Sequence, residues 1–344
     1  MPALMTTRER VLRALLDSPT EFVSGQSLAA ELGISRPAIW RHKAALKGQG
    51  YELEAITGKG YRLPQRPDVL SKEEILCRLE TESFGRALRV LAEVGSTNDE
   101  AKAWAMAGCP EGAVVAADTQ TGGRGRRGRA WASPAGKGVY VSVVLRPRAA
   151  PAALGQLSLL MALATARAIR ESTPLTVSTK WPNDVWVDGR KVAGILLEAD
   201  ADLEQVRSAV VGIGINLSLS AEDLPAQVRR TATSLNQAAG RPVPRAPLVC
   251  ALLREMETVY GQFSSGHVAR LLAECRALEV CLGRPVSVEL GKQSLQGTAE
   301  EIAAGGELIL RLASGETRAF VAGDVSLRPR ETGAPESRHE PATE

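Results

Sequence analysis

The chain has 344 residues, 44% of them hydrophobic and 24% charged, with a formal net charge of +3. That length holds two or three ordinary domains, and so small a positive excess does not by itself point to nucleic acid or to an anionic membrane. The five cysteines are scattered with no C-x-x-C pair, and the three histidines lie far apart. This argues against a disulfide framework, a zinc site and histidine triad chemistry, and fits a reducing cytosol. Arg8, Glu9 and Arg10 fall where a secretory leader needs an apolar core, and no apolar run approaches the ~18 residues of a membrane span. A cytoplasmic protein away from membranes is expected.

Residues 6–63 read as a small unit. Val11, Leu12, Leu15 and Leu16 share one helical face after Thr7 as a cap, and a second short helix ends at Gly33. In "SRPAIWRHKAALKGQG" Ser35 is the N-cap and Pro37 sits early, where its missing N–H costs little. Ile39, Ala45 and Leu46 then face inward, leaving Arg36, Trp40, Arg41, Lys43 and Lys47 outside. Two strand-like runs, "YELEAIT" and "YRLP", follow around Gly58-Lys59-Gly60. Helices joined by a glycine turn and followed by a hairpin form the winged helix-turn-helix pattern. Ser35, Arg36, Trp40, Arg41 and Lys43 would meet DNA, with Lys59 on a phosphate. A protein-interaction module with a solvated basic face has the same pattern.

"LPQRPDVL" (63–70) reads as a linker. Beyond it, strands are predicted at Leu88–Val94, Ala113–Ala117, Val139–Leu145, Leu175–Lys180, Asp184–Val187, Ile195–Glu198 and Ala209–Ile215, and helices at Asn98–Ala107, Leu154–Glu171 and Ala246–Ser264. Adjacent strands with few helices between them imply α+β with a mixed or antiparallel sheet. From Pro285 short strands alternate with glycine turns, as in a small β-barrel, and residues 331–344 read as a disordered tail.

Gly123-Arg124-Gly125-Arg126-Arg127-Gly128 fits G-x-G-x-x-G letter for letter. A dinucleotide fold needs a strand running into the glycines, a helix after them and an acid about 20 residues on. Here Asp118–Thr121 is predicted as a spacer, Pro134, Gly136 and Gly138 exclude a helix, and no acid lies between Asp118 and Glu171. Kinase and Walker signatures are also missing. What remains is a loop of guanidiniums suited to wrapping a carboxylate or phosphate, expected to be disordered until an anion orders it. A solvated basic loop or a nucleic-acid clamp fits the same residues.

In "KWPNDVWVDGRKVAGILLEA" (180–199), Lys180 ends a strand, Asn183 and Asp184 precede the next, and Asp188-Gly189 marks a hairpin. Lys191 enters an apolar strand, which is costly unless it faces an anion, and Gly194 suggests close approach by a ligand. Taken alone, the two lysines fit solubilising charges on an edge strand slightly better; with the arginine loop in the same domain, they are expected to converge on a polyanion. "VVGIGINLS" adds Gly212, Gly214 and a terminal Asn216.

Taken together, "STN" (96–98), "TQTGGRGRRGRAW" (119–131), "KWPND", "RKVAGIL", "GIGIN" and "GDVSLR" resemble the bacterial biotin protein ligase family in its bifunctional form, which doubles as the biotin operon repressor. The resemblance covers residues 6 to 330 and departs at Asp324, where the family often has Glu. It implies a winged helix-turn-helix over 1–66, a class II tRNA-synthetase-like catalytic domain over 67–280 and an SH3-like barrel over 281–330. It also implies a two-step reaction: biotin and MgATP give biotinyl-5′-AMP, and a lysine of an apo biotin carboxyl carrier protein then displaces AMP. By the same resemblance Ser96, Thr97, Asn98, Gln120, Arg124, Gly125, Arg126, Lys191 and Gly194 hold biotin. Arg126, Arg127, Trp131, Asn183, Asn216 and Arg328 reach the nucleotide, and Arg126, Lys180, Asp184 and Lys191 serve the chemistry. Asp184 is implied to orient the acceptor amine or a metal, and no set of metal ligands is assigned. Operator DNA and an adenylate-dependent homodimer are the further partners. A regulator that senses biotin without chemistry and a lipoate-type ligase are the rival readings.

Overall fold

A computed structural model describes residues 6–18, 21–48, 51–64, 68–291 and 293–327. The predicted linker lies partly outside them, and Arg328 and the predicted tail lie wholly outside.

The N-terminal unit is three helices and a hairpin: α1 (Thr7–Asp17), α2 (Gly25–Leu32), α3 (Arg36–Gly48), β1 (Glu54–Ile56) and β2 (Gly60–Arg62). The α1 cap is Thr6, one residue earlier than expected: its hydroxyl accepts from the Glu9 N–H, and Glu9 accepts in return from the Thr6 N–H. Gly33 closes α2 at φ 65°, a left-handed conformation that favours glycine. Val11, Leu12, Leu15, Leu16, Leu28, Ile39 and Leu46 form the core. Arg36, Trp40 and Arg41 are exposed along α3, with Ser35 just ahead of it and Lys59 exposed at the hairpin tip. Lys43 instead stands 4.9 Å over the Tyr61 ring, which ties the helix to the hairpin.

This unit is docked on the next element, α4 (Lys72–Leu76), which the sequence did not reveal. The Tyr51 hydroxyl donates to Glu74 at 2.6 Å, Arg8 pairs with Glu73 at 3.0 Å, and Cys77 joins the N-terminal core. Five residues are too few for a periodic signal, so tertiary contact defines α4.

The central region comprises β3 (Leu88–Val94), α5 (Thr97–Met106), β4 (Val114–Gln120), β5 (Gly138–Leu145), α6 (Leu154–Ser172), β6 (Val177–Lys180), β7 (Asp184–Val187), β8 (Arg190–Ala201), β9 (Val206–Asn216), α7 (Leu235–Ala239), α8 (Arg245–Ser264) and α9 (Ala269–Leu278). Its seven strands run in the order β3-β4-β5-β9-β8-β7-β6, and only β3 and β4 are parallel. The expected mixed sheet is present. Two details differ. β4 continues to Gln120, so the spacer before the glycines shrinks to Thr121. The dinucleotide reading fails instead beyond the glycines, where β5 returns antiparallel to β4 with no α-helix between them. β8 extends at both ends of the predicted segment because it pairs with β9 along nearly its whole length.

Alternation decides the two faces of the sheet. Val139, Val141, Val143, Leu145, Val211, Ile213, Ala193, Ile195, Val185 and Val187 face the main core with α6 and α8. By length and composition α6 could cross a membrane, contrary to the expectation that no segment would qualify. Two thirds of its apolar window is buried in this core, which accounts for its composition.

The C-terminal region is an antiparallel sheet of β10 (Pro285–Leu290), β11 (Gln293–Ile302), β12 (Leu308–Leu312), β13 (Thr317–Phe320) and β14 (Asp324–Leu327), ordered β13-β12-β11-β10-β14. Val286, Val288, Leu308, Leu310 and Val325 belong to the same apolar cluster as α6. The five cysteines are free and buried. Leu160 is fully buried in α6, so Leu160→Ala is expected to cost about 2–5 kcal/mol, read as a lower denaturation midpoint at unchanged slope.

Candidate active site

The sheet face opposite α6 carries Ser142 from β5, Gly212, Gly214 and Asn216 from β9, Gly194, Leu196 and Glu198 from β8, and Asp184 and Trp186 from β7, placed there by alternation. Three neighbouring glycines across β8 and β9 leave a trough. A Cβ at Gly212 would collide with the Asn98 amide, one at Gly214 with the Trp131 indole, and one at Gly194 would lie 3.1 Å from both Trp131 and Lys191. Gly194 was predicted to permit close approach of a ligand; in this structure the approaching groups are Trp131 and Lys191.

Ser96, Thr97 and Asn98 open α5 and are buried at the end of the trough. Gln120, the last residue of β4, accepts from the Thr97 N–H at 2.9 Å and donates to Ser133 Oγ at 2.9 Å. Ser142 Oγ lies 2.6 Å from Asn98 Oδ1 and 2.8 Å from Thr97 Oγ1. Ser96, Thr97, Asn98, Gln120, Arg124, Trp131, Gly194, Leu196, Gly212, Ile213 and Gly214 line one pocket of ≈ 30 Å³. Small-ligand pockets are about ten times larger, so Trp131 and its loop close most of the trough. The Trp131 indole N–H is buried without a hydrogen-bond partner among the described residues.

The arginine loop does not behave as expected. Charge repulsion was predicted to keep it open, yet it is folded down by carboxylates. Arg124 forms a two-pronged pair with Asp99 at 2.5 and 2.7 Å. Arg127 donates to Asp324 at 2.9 Å and to the Glu289 carbonyl at 3.1 Å, and Arg129 also binds Asp324. Arg127 therefore faces the C-terminal sheet rather than the pocket. Repulsion between neighbouring guanidiniums is offset because three of the four have an acid partner. The bond to Arg124 holds the Asp99 carboxyl below its usual range.

Arg126 is the exception. It reaches the Asn183 Oδ1 at 3.4 Å and the Gly323 carbonyl at 3.2 Å, and no carboxylate pairs with it among the described residues. Burial lowers its pKa, partly offset by Asp324. A cation held by two neutral acceptors retains donors for an anion.

Lys180, Asp184, Trp186 and Lys191 share the trough face. Lys191 Nζ pairs with Asp184 at 2.6 Å and lies 5.2 Å from the Trp131 ring centre, while Lys180 Nζ stands 4.7 Å over Trp186. The two lysines were expected on strands joined by a hairpin. In fact β7 lies between β6 and β8, so Asp184 and Trp186 separate them. Asn183 donates to the Ile195 carbonyl at 2.5 Å, and Asn216 donates to the Thr233 carbonyl at 3.1 Å. Gly125 donates to the Arg129 carbonyl at 2.7 Å, shaping the loop.

Sequence reading missed Ser133, Ser142, Asp99, Lys102 and Glu198. A lone serine inside the apolar run "VYVSVVL" was the available signal for Ser142, since a buried hydroxyl needs a partner. The others are ordinary surface residue types until the fold brings them together.

A polar pocket on the face of the central strands, with Lys191 against it and Arg126 and Lys180 on the same side, suits a small anionic ligand on a mixed α+β sheet. Residues 91–216 match the Biotin/lipoate A/B protein ligase family, residues 7–62 an HTH domain, and residues 281–328 the Biotin protein ligase C terminal domain. The chain is 36% identical to the bifunctional ligase/repressor BirA of Bacillus spizizenii, covering 94% of this chain and 99% of that one. It is 33% identical to its Escherichia coli counterpart, covering 90% and 94%. The biotin protein ligase from Aquifex aeolicus in complex with biotin and ATP superposes with a TM-score of 0.61 at 30% identity, over 70% of this chain and 98% of that one. The chain belongs to the bifunctional biotin protein ligase and repressor family.

Because a Cβ at Gly214 would displace the Trp131 indole, Gly214→Ala is expected to shift the tryptophan emission spectrum to longer wavelength and to weaken small-ligand binding at least tenfold. An unchanged spectrum with unchanged binding would refute the packing described.

Proposed function

We propose that this chain is a biotin protein ligase that makes biotinyl-5′-AMP from biotin and MgATP and transfers biotin to a lysine of a biotin carboxyl carrier protein. We further propose that it acts through its winged helix as a biotin-responsive repressor of biotin-synthesis genes. The observation that carries the enzymatic reading is the set of Arg126 and Lys191, with Lys180 beyond Asp184, beside the polar pocket.

The first step presses a carboxylate against a triphosphate, so like charges must be held in line. A carboxylate oxygen bonds to the α-phosphorus as the bond to pyrophosphate breaks. Arg126, Lys180 and Lys191 offset the repulsion and the charge that develops. Magnesium enters with ATP; among the described residues no group of three Asp, Glu, His or Cys side chains would hold a metal. In the second step the carrier amine displaces AMP, and no side-chain nucleophile is needed. Asp184, already bonded to Lys191, is suited to orient that amine.

Ser96, Thr97, Asn98, Gln120, Arg124, Gly125 and Gly194 would hold biotin. Trp131, Asn183, Asn216, Arg127 and Arg328 would serve the nucleotide, Arg328 lying outside the described residues. The pocket's size supports treating the loop as a lid. Trp131 must swing out to admit biotin, and the salt links to Asp99 and Asp324 would be exchanged as the loop closes over the adenylate and shields it from water. Asp324, in place of the Glu frequent in the family, is the carboxylate that Arg127 and Arg129 would leave in that exchange. Domain boundaries are proposed at residues 66/67 and 280/281, a reading supported by the family matches over residues 7–62 and 281–328. Ser35, Arg36, Trp40, Arg41, Lys43 and Lys59 would form the DNA surface, and the protein would act in the cytoplasm.

Arg126→Ala and Lys191→Ala are each expected to slow MgATP-dependent biotinylation of an apo carrier domain by at least about 10²-fold, read by the mass of the carrier. Undiminished labelling in both would overturn the site. Adenylate is expected to drive homodimerisation, since ordering the loop can change an adjacent surface. Sedimentation with and without biotin and MgATP measures this, and an unchanged mass would count against it.

A further inference from the structure

A chain of polar side chains runs beneath the pocket and ends on a carboxylate that does not line it. Glu198 Oε1 pairs with Lys102 Nζ at 2.7 Å, and its Oε2 accepts from Asn98 Nδ2 at 2.7 Å. The same amide nitrogen is 3.4 Å from the Leu196 carbonyl. On the other side, Asn98 Oδ1 accepts from Ser142 Oγ at 2.6 Å, and Ser142 Oγ is 2.8 Å from Thr97 Oγ1. Thr97 Oγ1 is 3.0 Å from Gln120 Oε1, an oxygen that also accepts the Thr97 N–H. Thr97, Asn98 and Ser142 are buried.

We propose that Glu198 is a positioning residue that sets the donor–acceptor sense of this chain and thereby makes the pocket a reader of ligand N–H groups. The inference rests on the assignment of this pocket to biotin. An ionised carboxylate only accepts hydrogen bonds, whereas an amide has two unlike ends. Asn98 cannot turn round, because its oxygen would then face a Glu198 oxygen at the same short distance. With Nδ2 committed to Glu198, Oδ1 must accept, and the single hydroxyl proton of Ser142 goes to it. Ser142 then has no proton for Thr97. The Thr97 proton goes either to Ser142 or to Gln120 Oε1, so the Thr97 oxygen keeps a lone pair for the pocket. The result suits an N–H group of a cyclic urea and disfavours an oxygen at that ring position. Burial makes a reversed bond expensive, so the sense set at Glu198 is transmitted along the chain. Burial alone would raise the Glu198 pKa, but the bonds from Lys102 and Asn98 more than offset this and hold it below the usual carboxylate range.

The test uses the full chain with two probes: biotin, and its cyclic carbonate analogue with both ring N–H groups replaced by oxygen. Binding is measured by calorimetry for the wild type, Glu198→Gln and Ser142→Ala, together with KM for ATP and the melting temperature. A glutamine at 198 can present either end of its amide and so releases Asn98. The expected result is biotin binding about tenfold weaker in Glu198→Gln, the scale of one buried hydrogen bond. The preference for biotin over the carbonate should narrow by a similar factor, with KM for ATP and melting temperature unchanged. Ser142→Ala breaks the chain one link further on, should shift the preference in the same direction, and carries the test if Glu198→Gln fails to fold. Variants with wild-type affinity and preference overturn the proposal, as does equal weakening of both probes. A wild-type chain that binds no biotin overturns the assignment of the pocket itself, and the inference with it.

Discussion

The site depends on the removal of three side chains from one face of a sheet. Gly194, Gly212 and Gly214 lie side by side on β8 and β9, with Gly194 directly opposite Gly214 in the pairing register. On the reverse face the same strands carry valine and isoleucine against α6 and α8. A strand with Cβ atoms on both faces would have filled the trough. Instead the Asn98 amide and the Trp131 indole descend onto bare backbone. The close packing of the opposite face keeps these glycine-bearing strands in register, which offsets the weakening that glycine brings to a strand interior.

Charge is arranged around this trough in two ways. Most cations are neutralised within the protein: Arg124 by Asp99, Arg127 and Arg129 by Asp324, and Lys102 by Glu198. These pairs fasten the arginine loop at one end to α5 and at the other to the C-terminal sheet. Arg126 and Lys180 have no carboxylate partner among the described residues, and Lys191 is paired with Asp184. The arginines therefore divide into those that hold the loop and one with donors to spare. This division explains how so basic a stretch can be folded and still offer charge to an anion. It also gives the C-terminal sheet a part in the site, since its Asp324 and the neighbouring Gly323 carbonyl hold the tip of the loop.

Much of this was legible in the sequence where a signal is local. Period-two alternation located six of the seven central strands to within a few residues. Gly33 announced its helix end, and the polar groups at 96–98 and 120 were identified by their motif. The behaviour of the arginine loop was not legible, because its partners Asp99, Glu289 and Asp324 lie 25 to 197 residues away along the chain. Repulsion between neighbours can be read from a string of letters, whereas neutralisation by distant acids cannot. The placing of Asp184 and Trp186 between Lys180 and Lys191 was not legible for a related reason: strand order sets β7 between their strands.

The sequence by itself determined the mixed sheet, the winged helix, the family and the residue types of the site, since each follows from spacing, period or motif over a short window. Only the tertiary structure decided which arginine is left with spare donors, that Trp131 fills the trough, and that Ser142 and Glu198 join Asn98 in one hydrogen-bonded chain. Those outcomes depend on which side chains meet across the sheet, and pairing between distant segments is set by packing of the whole chain rather than by any local preference.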